Sequence, residues 1–532
     1  MTSQAYDAVV VGAGHNGLVA ANHLADAGWS VLILEEQQIP GGAVRSDREV
    51  HPDFVHDTFS AFYPFAAVSA PLTSLRLEDH GLEWVHPPAA LGHPLPDGRW
   101  ALIHPDRERT AAGLDELCSG DGDAWLALCR TWDRIGGPLV DAFTAPFPPL
   151  RHGSRLLRRL PAAGGLPLVR DMLGPVLSMA RHRFDGPAPG LLLAGNAGHS
   201  DIPPTSPGSA AFGLMMTMLA QEVGFPVPRG GAGRLTDALV RRLTTAGGEV
   251  RTGRRVRRIR VEGGRASGVE TEDGATYRAG RAVLADVTAP ALFGQLLDPG
   301  DVPAAVRRQI RGFELDPGTV KVDWALSGPV PWRCAPESAP GTVHLADSVE
   351  EMALAAAQVA AGLVPERPFL LAGQMSTSDP TRSPAGTESL WAYTHVPRPG
   401  QTRGDAGGGD LTGRWDRSEC ERFADRVQAR LEERAPGFGE RVVSRRVLGP
   451  NDLQARDANL DGGAINGGTS QLHQDVVFRP VPAMLGRPAT GVPGLFLASA
   501  SAHPGGGVHG APGASAARAA LRSLGPRPWR RD

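Results

Sequence analysis

The sequence predicts an α/β fold, a parallel sheet covered on both faces and assembled from separated segments, with a mixed α+β domain inserted between them. Three observations carry this. The N-terminus reads as strand, helix, strand; strand signals of the same kind return near residues 235–285 and 494–520; and the stretches between are helical patterns broken by Pro and Gly.

The first unit begins at Ala8-Val9-Val10-Val11, a β-branched run that stops at Gly12. A helix-compatible segment follows from Leu18 to Ala27, then Gly28 as a stop and a second apolar run, Val31 to Leu34. Both runs are continuously apolar and do not alternate, as strands of a doubly covered parallel sheet do. From about Pro71 to Pro228 the texture becomes helical and includes the apolar stretches Gly190 to Ala194 and Ala210 to Leu219. Leu235 to Ala246 is a predicted helix, and Val256 to Val261, Ser267 to Glu272 and Ala282 to Ala285 are predicted strands beside the first unit. A second mixed segment, Phe313 to Glu440, holds isolated strands at Thr319 to Ala325, Phe369 to Met375 and Leu390 to Thr394. The last part, Gly494 to Ala498 into Pro504 to Ala520, is again strand, glycine loop, helix. The expected division is residues 1–70, 229–312 and 441–522 for the sheet domain, 71–228 and 313–440 for the inserted domain, and 523–532 as a tail.

Composition narrows the function classes. The 532 residues include 67 Gly and 47 Pro, a loop-rich but not low-complexity content, with 41% hydrophobic and 21% charged residues, so a large core is within reach. Lys+Arg 54 against Asp+Glu 57 gives a formal charge of −3, and no dense basic run points to nucleic acid. Cys118, Cys129, Cys334 and Cys420 form no C-x-x-C pair, which argues against a zinc site or dithiol centre and fits a reducing, cytoplasmic setting. No H-E-x-x-H or comparable spacing suggests a metal. The N-terminus lacks a basic n-region, and no apolar stretch approaches the roughly 18 to 20 residues of a membrane span, which leaves peripheral attachment open.

Chemistry enters with Gly12-Ala13-Gly14-His15-Asn16-Gly17, a G-x-G-x-x-G at the junction of strand and helix, the Rossmann arrangement. Gly12 permits the tight turn, Gly14 the approach of a pyrophosphate, and Gly17 close packing of helix on strand. The helix N-terminus offers free N–H groups to phosphates. Glu35, 18 positions after Gly17, is placed to accept hydrogen bonds from ribose hydroxyls and disfavours a 2′-phosphate. Two further glycine-rich runs, Gly41-Gly42-Ala43-Val44-Arg45-Ser46 and His503-Pro504-Gly505-Gly506-Gly507-Val508, imply one long ligand touched at several points. FAD fits, with adenosine at Glu35, pyrophosphate at the first helix and isoalloxazine near the last loop.

These residues resemble a known family. Val9 to Gly17 with Glu35 and Gly41-Gly42, the middle Gly230-Gly231-Ala232-Gly233 with Leu235, and Ala502-His503-Pro504-Gly505-Gly506-Gly507 look like the phytoene-desaturase-like flavoproteins. Asp461-Gly462-Gly463 and Phe478-Arg479-Pro480-Val481 look closest to the branch called pyridine nucleotide-disulphide oxidoreductase domain-containing protein 2. The resemblance implies a monoamine-oxidase-like architecture with an apolar tunnel to the flavin, in which Val256 matches the adenine side and Val508 the segment over the flavin. It also implies an FAD-dependent dehydrogenase or desaturase that forms a C=C bond in a largely apolar substrate, with O₂, a quinone or another acceptor reoxidising the flavin. Amine oxidation, redox-neutral isomerisation and, from another class, a non-catalytic binder of a lipidated partner like the GDP-dissociation inhibitors are the alternatives.

Side-chain candidates are few, because the flavin carries the hard step. His503, at the flavin loop, is the candidate proton relay, set against a merely structural role in the turn. His473 and Asp475, ahead of the apolar run Val476-Val477-Phe478, form a second candidate, set against the favoured reading of solvated loop or strand edge. Arg151, Arg155, Arg158, Arg159 and Arg170 interleaved with leucines form a basic amphipathic patch, either a solvated face or a contact for anionic lipid. Met215, Met216 and Met218 are tunnel or core residues.

Overall fold

The structure, a computed structural model, describes residues 4–523; beyond Ser523 the expected tail lies outside the described residues. Two seven-stranded sheets organise it. In the first, Gln4–Val11 is central and pairs in parallel with Val31–Leu34 on one side and Thr276–Ala285 on the other. Glu249–Arg251 and Leu495–Leu497 extend the parallel order outward, so segments nearly 500 residues apart meet in one layer. Val256–Glu262 and Arg265–Thr271 add an antiparallel meander at the edge.

The continuous apolar runs explain themselves in the packing. Val10, Ile33 and Leu284 face the helices His15–Asp26, Gly233–Thr245 and Ala511–Arg522, whereas Val9, Leu32 and Val283 face the meander and the helical turns around Leu292. Both faces are buried, which is why alternation is absent.

The second sheet runs in the order Val442–Leu448, Gly318–Leu326, Glu388–Val396, Leu370–Gln374, Pro340–Leu345, Ala89–Pro94, Trp100–Ile103. Its pairs are antiparallel except Pro340–Leu345 with Ala89–Pro94. One face, with Val320, Val322, Trp324, Leu390 and Ala392, packs on the helix Arg417–Arg434. The opposite face meets the helices Asp121–Thr144, Pro187–Ala197 and Ser209–Glu222, whose apolar residues form a separate core.

Three expected boundaries move. Residues 71–82 belong with the first sheet, since Leu72, Leu75, Leu77 and Leu82 bury against its helices. Residues 442–448 are an edge strand of the second sheet and not part of the C-terminal segment of the first: Arg446 is drawn in by Asp323 and Asp47 at 2.8 Å each. The 71–228 stretch is not wholly helical, because Ala89–Pro94 and Trp100–Ile103 complete the second sheet.

Candidate active site

A cavity of about 620 Å³ runs between the two sheets, within the ~300–1,000 Å³ typical of small-molecule sites. One end is polar and built at the carboxyl ends of the first sheet's strands. Gly12, Gly14, Glu35, Gly42 and Val256 line it, and at the flank stand Gly506, Gly507 and Val508. Gly17, Gly41, Arg45 and Gly505 stand behind that lining and support it. A side chain added at Gly17 would strike the carbonyl of Gly12, so helix and strand approach there as the motif requires. The Gly41 N–H donates to the Ala13 carbonyl at 2.8 Å. Arg45 donates to the Arg456 carbonyl at 2.8 Å and lies over the Phe59 ring at 5.1 Å.

Glu35 is 6% exposed, and its carboxylate accepts the Ala13 N–H at 2.7 Å and the Gln37 N–H at 2.8 Å. Burial pushes its pKa up, while those two bonds pull it down. Asp286, which no motif announced, sits at the N-terminus of the first helix and accepts the Gly17 N–H at 2.8 Å. A Cβ at Gly14 would fall 2.6 Å from its carboxylate oxygen. Burial raises the Asp286 pKa from 3.8 to about 8, with Asp457 and Glu35 adding to the effect. The sequence signal was an acid ending an apolar strand, Val283-Leu284-Ala285-Asp286.

The residues present fit a dinucleotide. His15 Nε2 and Asn16 Oδ1, both on residues lining the cavity, are buried without a protein partner, as groups awaiting a polar ligand are. Gly506 packs directly on the loop that carries Asn466: a Cβ there would meet Asn466 at 2.8–3.0 Å. That loop is held by Arg479, fully buried, which donates to the carbonyls of Asn466 (2.9 Å), Thr469 (2.8 Å) and Ala500 (2.8 Å). Asp316 completes the support by accepting the N–H groups of Ile465 at 2.7 Å and Asn466 at 2.9 Å.

The other end is aromatic. Pro64, Phe65, Phe212, Met216, Trp391 and Tyr393 line it together with His199, Thr319 and Lys321. Register places Lys321 opposite Tyr393 and Thr319 opposite His395 on one face of the second sheet. The Lys321 ammonium donates to the Asp57 carbonyl at 3.0 Å and to the Asp323 carboxylate. Of the methionine cluster only Met216 reaches the cavity; Met215 and Met218 are core.

His503 does not line the cavity. It is 7% exposed and packs edge-on against Phe147, with ring centroids 5.7 Å apart, and burial lowers its pKa to about 4. The loop turns at a cis bond between His503 and Pro504. His473 is exposed, 3.3 Å from Glu314, and Asp475 caps a short turn through the Val476 N–H. Among the described residues no group of three or more His, Cys, Asp and Glu is placed to hold a metal ion.

Comparisons with known proteins agree with this geometry. Residues 10–68 match an NAD(P)-binding Rossmann-like domain and residues 172–356 the flavin containing amine oxidoreductase family. Pyridine nucleotide-disulfide oxidoreductase domain-containing protein 2 of Mus musculus is 30% identical over 98% of this chain and 94% of its own length. A neurosporene-forming phytoene desaturase of Rhodobacter capsulatus is 24% identical over 94% of this chain and 91% of its own. Among solved structures, a putrescine oxidase variant superposes with a TM-score of 0.61 at 16% identity, covering 98% and 99% of the two chains, a likeness of fold. The chain therefore belongs to the phytoene-desaturase-like flavoproteins, in the family of pyridine nucleotide-disulfide oxidoreductase domain-containing protein 2, and is an FAD-dependent oxidoreductase.

Proposed function

We propose that the protein oxidises a neutral, largely apolar organic molecule, taking a hydride from one carbon while the adjacent carbon releases a proton, so that a C=C bond forms. Bound FAD supplies the two-electron acceptor. In this reading Gly12, Gly14 and Gly17 hold the pyrophosphate against the first helix, Glu35 holds the ribose, and Val256 borders the adenine. Gly41, Gly42 and Arg45 support the middle of the cofactor, and Gly505 to Val508 border the isoalloxazine. The remaining residues of the chain orient the substrate and exclude water. His503 is outside the cavity lining, and in this reading it supports the loop.

The observation that carries this reading is the charge of the aromatic end. Among the lining residues contributed near Pro64–Val68, Ser209–Glu222, Gly318–Leu326 and Glu388–Val396, Lys321 is the one charged side chain, and it is a cation. Lys321 is paired with Asp323, so an alkylammonium would find no free carboxylate among these lining residues, whereas an apolar chain meets aromatic and thioether surface. The test is anaerobic reduction of the flavin by neutral polyene precursors and by primary amines, followed by product mass. A neutral substrate that bleaches the flavin and emerges two hydrogens lighter supports the reading; bleaching by amines alone overturns it in favour of amine oxidation.

A second surface bears on where the substrate is met. Leu150, Leu157, Leu166 and Leu173, on the consecutive helices Leu150–Ala163 and Gly165–Leu173, are 59–79% exposed. Arg151 and Arg158 beside them form no ion pair among the described residues. Exposed leucines flanked by unpaired arginines suit an anionic bilayer surface, the source of an apolar substrate. Among the described residues no helix is long and apolar enough to cross a membrane, so contact would be peripheral. Sedimentation with phosphatidylglycerol vesicles, lost in a Leu157→Ser/Leu166→Ser variant, is the expected result; equal sedimentation of both proteins would remove the surface from consideration.

A further inference from the structure

The aromatic end of the cavity is less apolar than its shape suggests. His199, just past the helix Pro187–Ala197, lines it, and its Nε2 lies 3.0 Å from Nε2 of His344, a residue with no solvent exposure. Beside it the Tyr393 hydroxyl lines the same wall and makes no hydrogen bond among the described residues, its ring stacked on Trp391 at 5.9 Å and edge-on to His395 at 6.0 Å. Thr319, 3% exposed, also lines the cavity, and its Oγ1 has no partner. Buried polar groups are costly to leave unpaired, and a substrate made only of hydrocarbon would leave the Tyr393 hydroxyl and Thr319 Oγ1 so.

We infer that the substrate carries a neutral oxygen function, a hydroxyl or a carbonyl, that hydrogen-bonds to His199 and Tyr393 at this end of the cavity. This rests on the reading of the aromatic end as the substrate's place. Two imidazole nitrogens at 3.0 Å share a single hydrogen, so one Nε2 bears it and the other is bare. If His344 donates, His199 carries its hydrogen on Nδ1 and offers a donor to the cavity. If His199 donates, its Nδ1 is an acceptor. The pair can thus meet a carbonyl oxygen or a hydroxyl hydrogen, and Tyr393 can donate or accept beside it. Burial lowers His199 to about 4 and His344 further still, so neither imidazole is a cation at neutral pH. A carboxylate would find Lys321 already held by Asp323 and the Asp57 carbonyl. Both facts favour an uncharged oxygen.

The holoenzyme, FAD bound, tests this with three probes of one length: n-octane, 1-octanol and octylamine, titrated by difference absorbance of the flavin. The expected result is 1-octanol binding at least tenfold more tightly than n-octane. In His199→Phe and in Tyr393→Phe that ratio falls toward unity, while n-octane binds as before and so reports an intact fold and cavity. Equal affinity for octane and octanol, or a ratio that survives both substitutions, overturns the inference and leaves the apolar reading standing. Octylamine binding most tightly, or no probe disturbing the flavin, overturns the reading of the cavity end itself.

Discussion

The two ends of one cavity are built on different principles. The nucleotide end is made of backbone: glycines, strand ends and a helix N-terminus, with Glu35 and Asp286 satisfied mainly by N–H groups. The aromatic end is made of side chains brought together from Pro64–Val68, Ser209–Glu222 and two strands of the second sheet. Backbone sites leave little room for variation, because the ligand fixes where main chain must run; side-chain sites can be re-lined while the sheet behind them stays.

The largest effect that would break this contrast is at Gly14. A Cβ there lies 2.6 Å from the Asp286 carboxylate oxygen, which could move aside only by giving up its bond from the Gly17 N–H. Gly14→Val is expected to purify without flavin absorbance. Full FAD occupancy in that variant would show that the nucleotide end tolerates side chains and is no stricter than the aromatic one.

Glu35 sets the next scale. Its bonds to Ala13 and Gln37 hold the carboxylate at the cavity edge, and hydrogen bonds to a charged acceptor are worth about 1.5 to 3 kcal/mol. Glu35→Ala should weaken FAD binding about tenfold or more, read by flavin fluorescence on reconstitution. An unchanged dissociation constant would take the ribose away from this carboxylate.

The difference between the ends also explains what could be read from sequence. Val31 to Leu34 and the glycine motif are local signals, each specifying its own strand or turn, and the structure places them as read. The second sheet was legible only in part: Thr319 to Ala325, Phe369 to Met375 and Leu390 to Thr394 read as strands and are strands, but its far edge carries no such signal. Ala89–Pro94 contains Gly92, His93 and Pro94, and Pro340–Leu345 begins with Pro and Gly; neither looks like a strand until the partner, more than 200 residues away, supplies the hydrogen bonds. Asp286 shows in sequence only as an acid ending an apolar strand, since its role is a bond to Gly17 across 269 residues. His199 and Tyr393 were not singled out because a lone His or Tyr in an apolar segment carries no spacing to distinguish lining from core.

A finer test lies in the proton on Asp286. Its pKa in the fold is about 8, against 3.8 ordinarily. The folded chain therefore binds a proton that the unfolded chain has released, and this contribution to stability is complete below pH 3.8 and lost as pH rises through 8. Ionised Asp286 would also face the pyrophosphate. Wild-type FAD affinity should decline between pH 7 and 9, and Asp286→Asn, neutral throughout and still able to accept the Gly17 N–H, should hold its affinity level over that range. Parallel profiles for the two proteins would mean the carboxylate is already ionised.

The smallest effect is expected at His503, and it separates sequence proximity from geometry. The residue adjoins Gly505 to Val508 in the chain, which suggested a proton relay, yet it packs on Phe147 outside the cavity lining. A neutral imidazole buried against a phenyl ring contributes packing, so His503→Ala should lower the thermal midpoint modestly by opening a void. Hydride transfer and flavin reoxidation, followed by stopped flow from pH 6 to 9, should keep wild-type rates. A relay would show otherwise, since general acid–base groups typically contribute ~10²-fold or more. A fall of that size with FAD still bound would return His503 to the reaction and put the chemistry on the loop, not on the aromatic wall opposite.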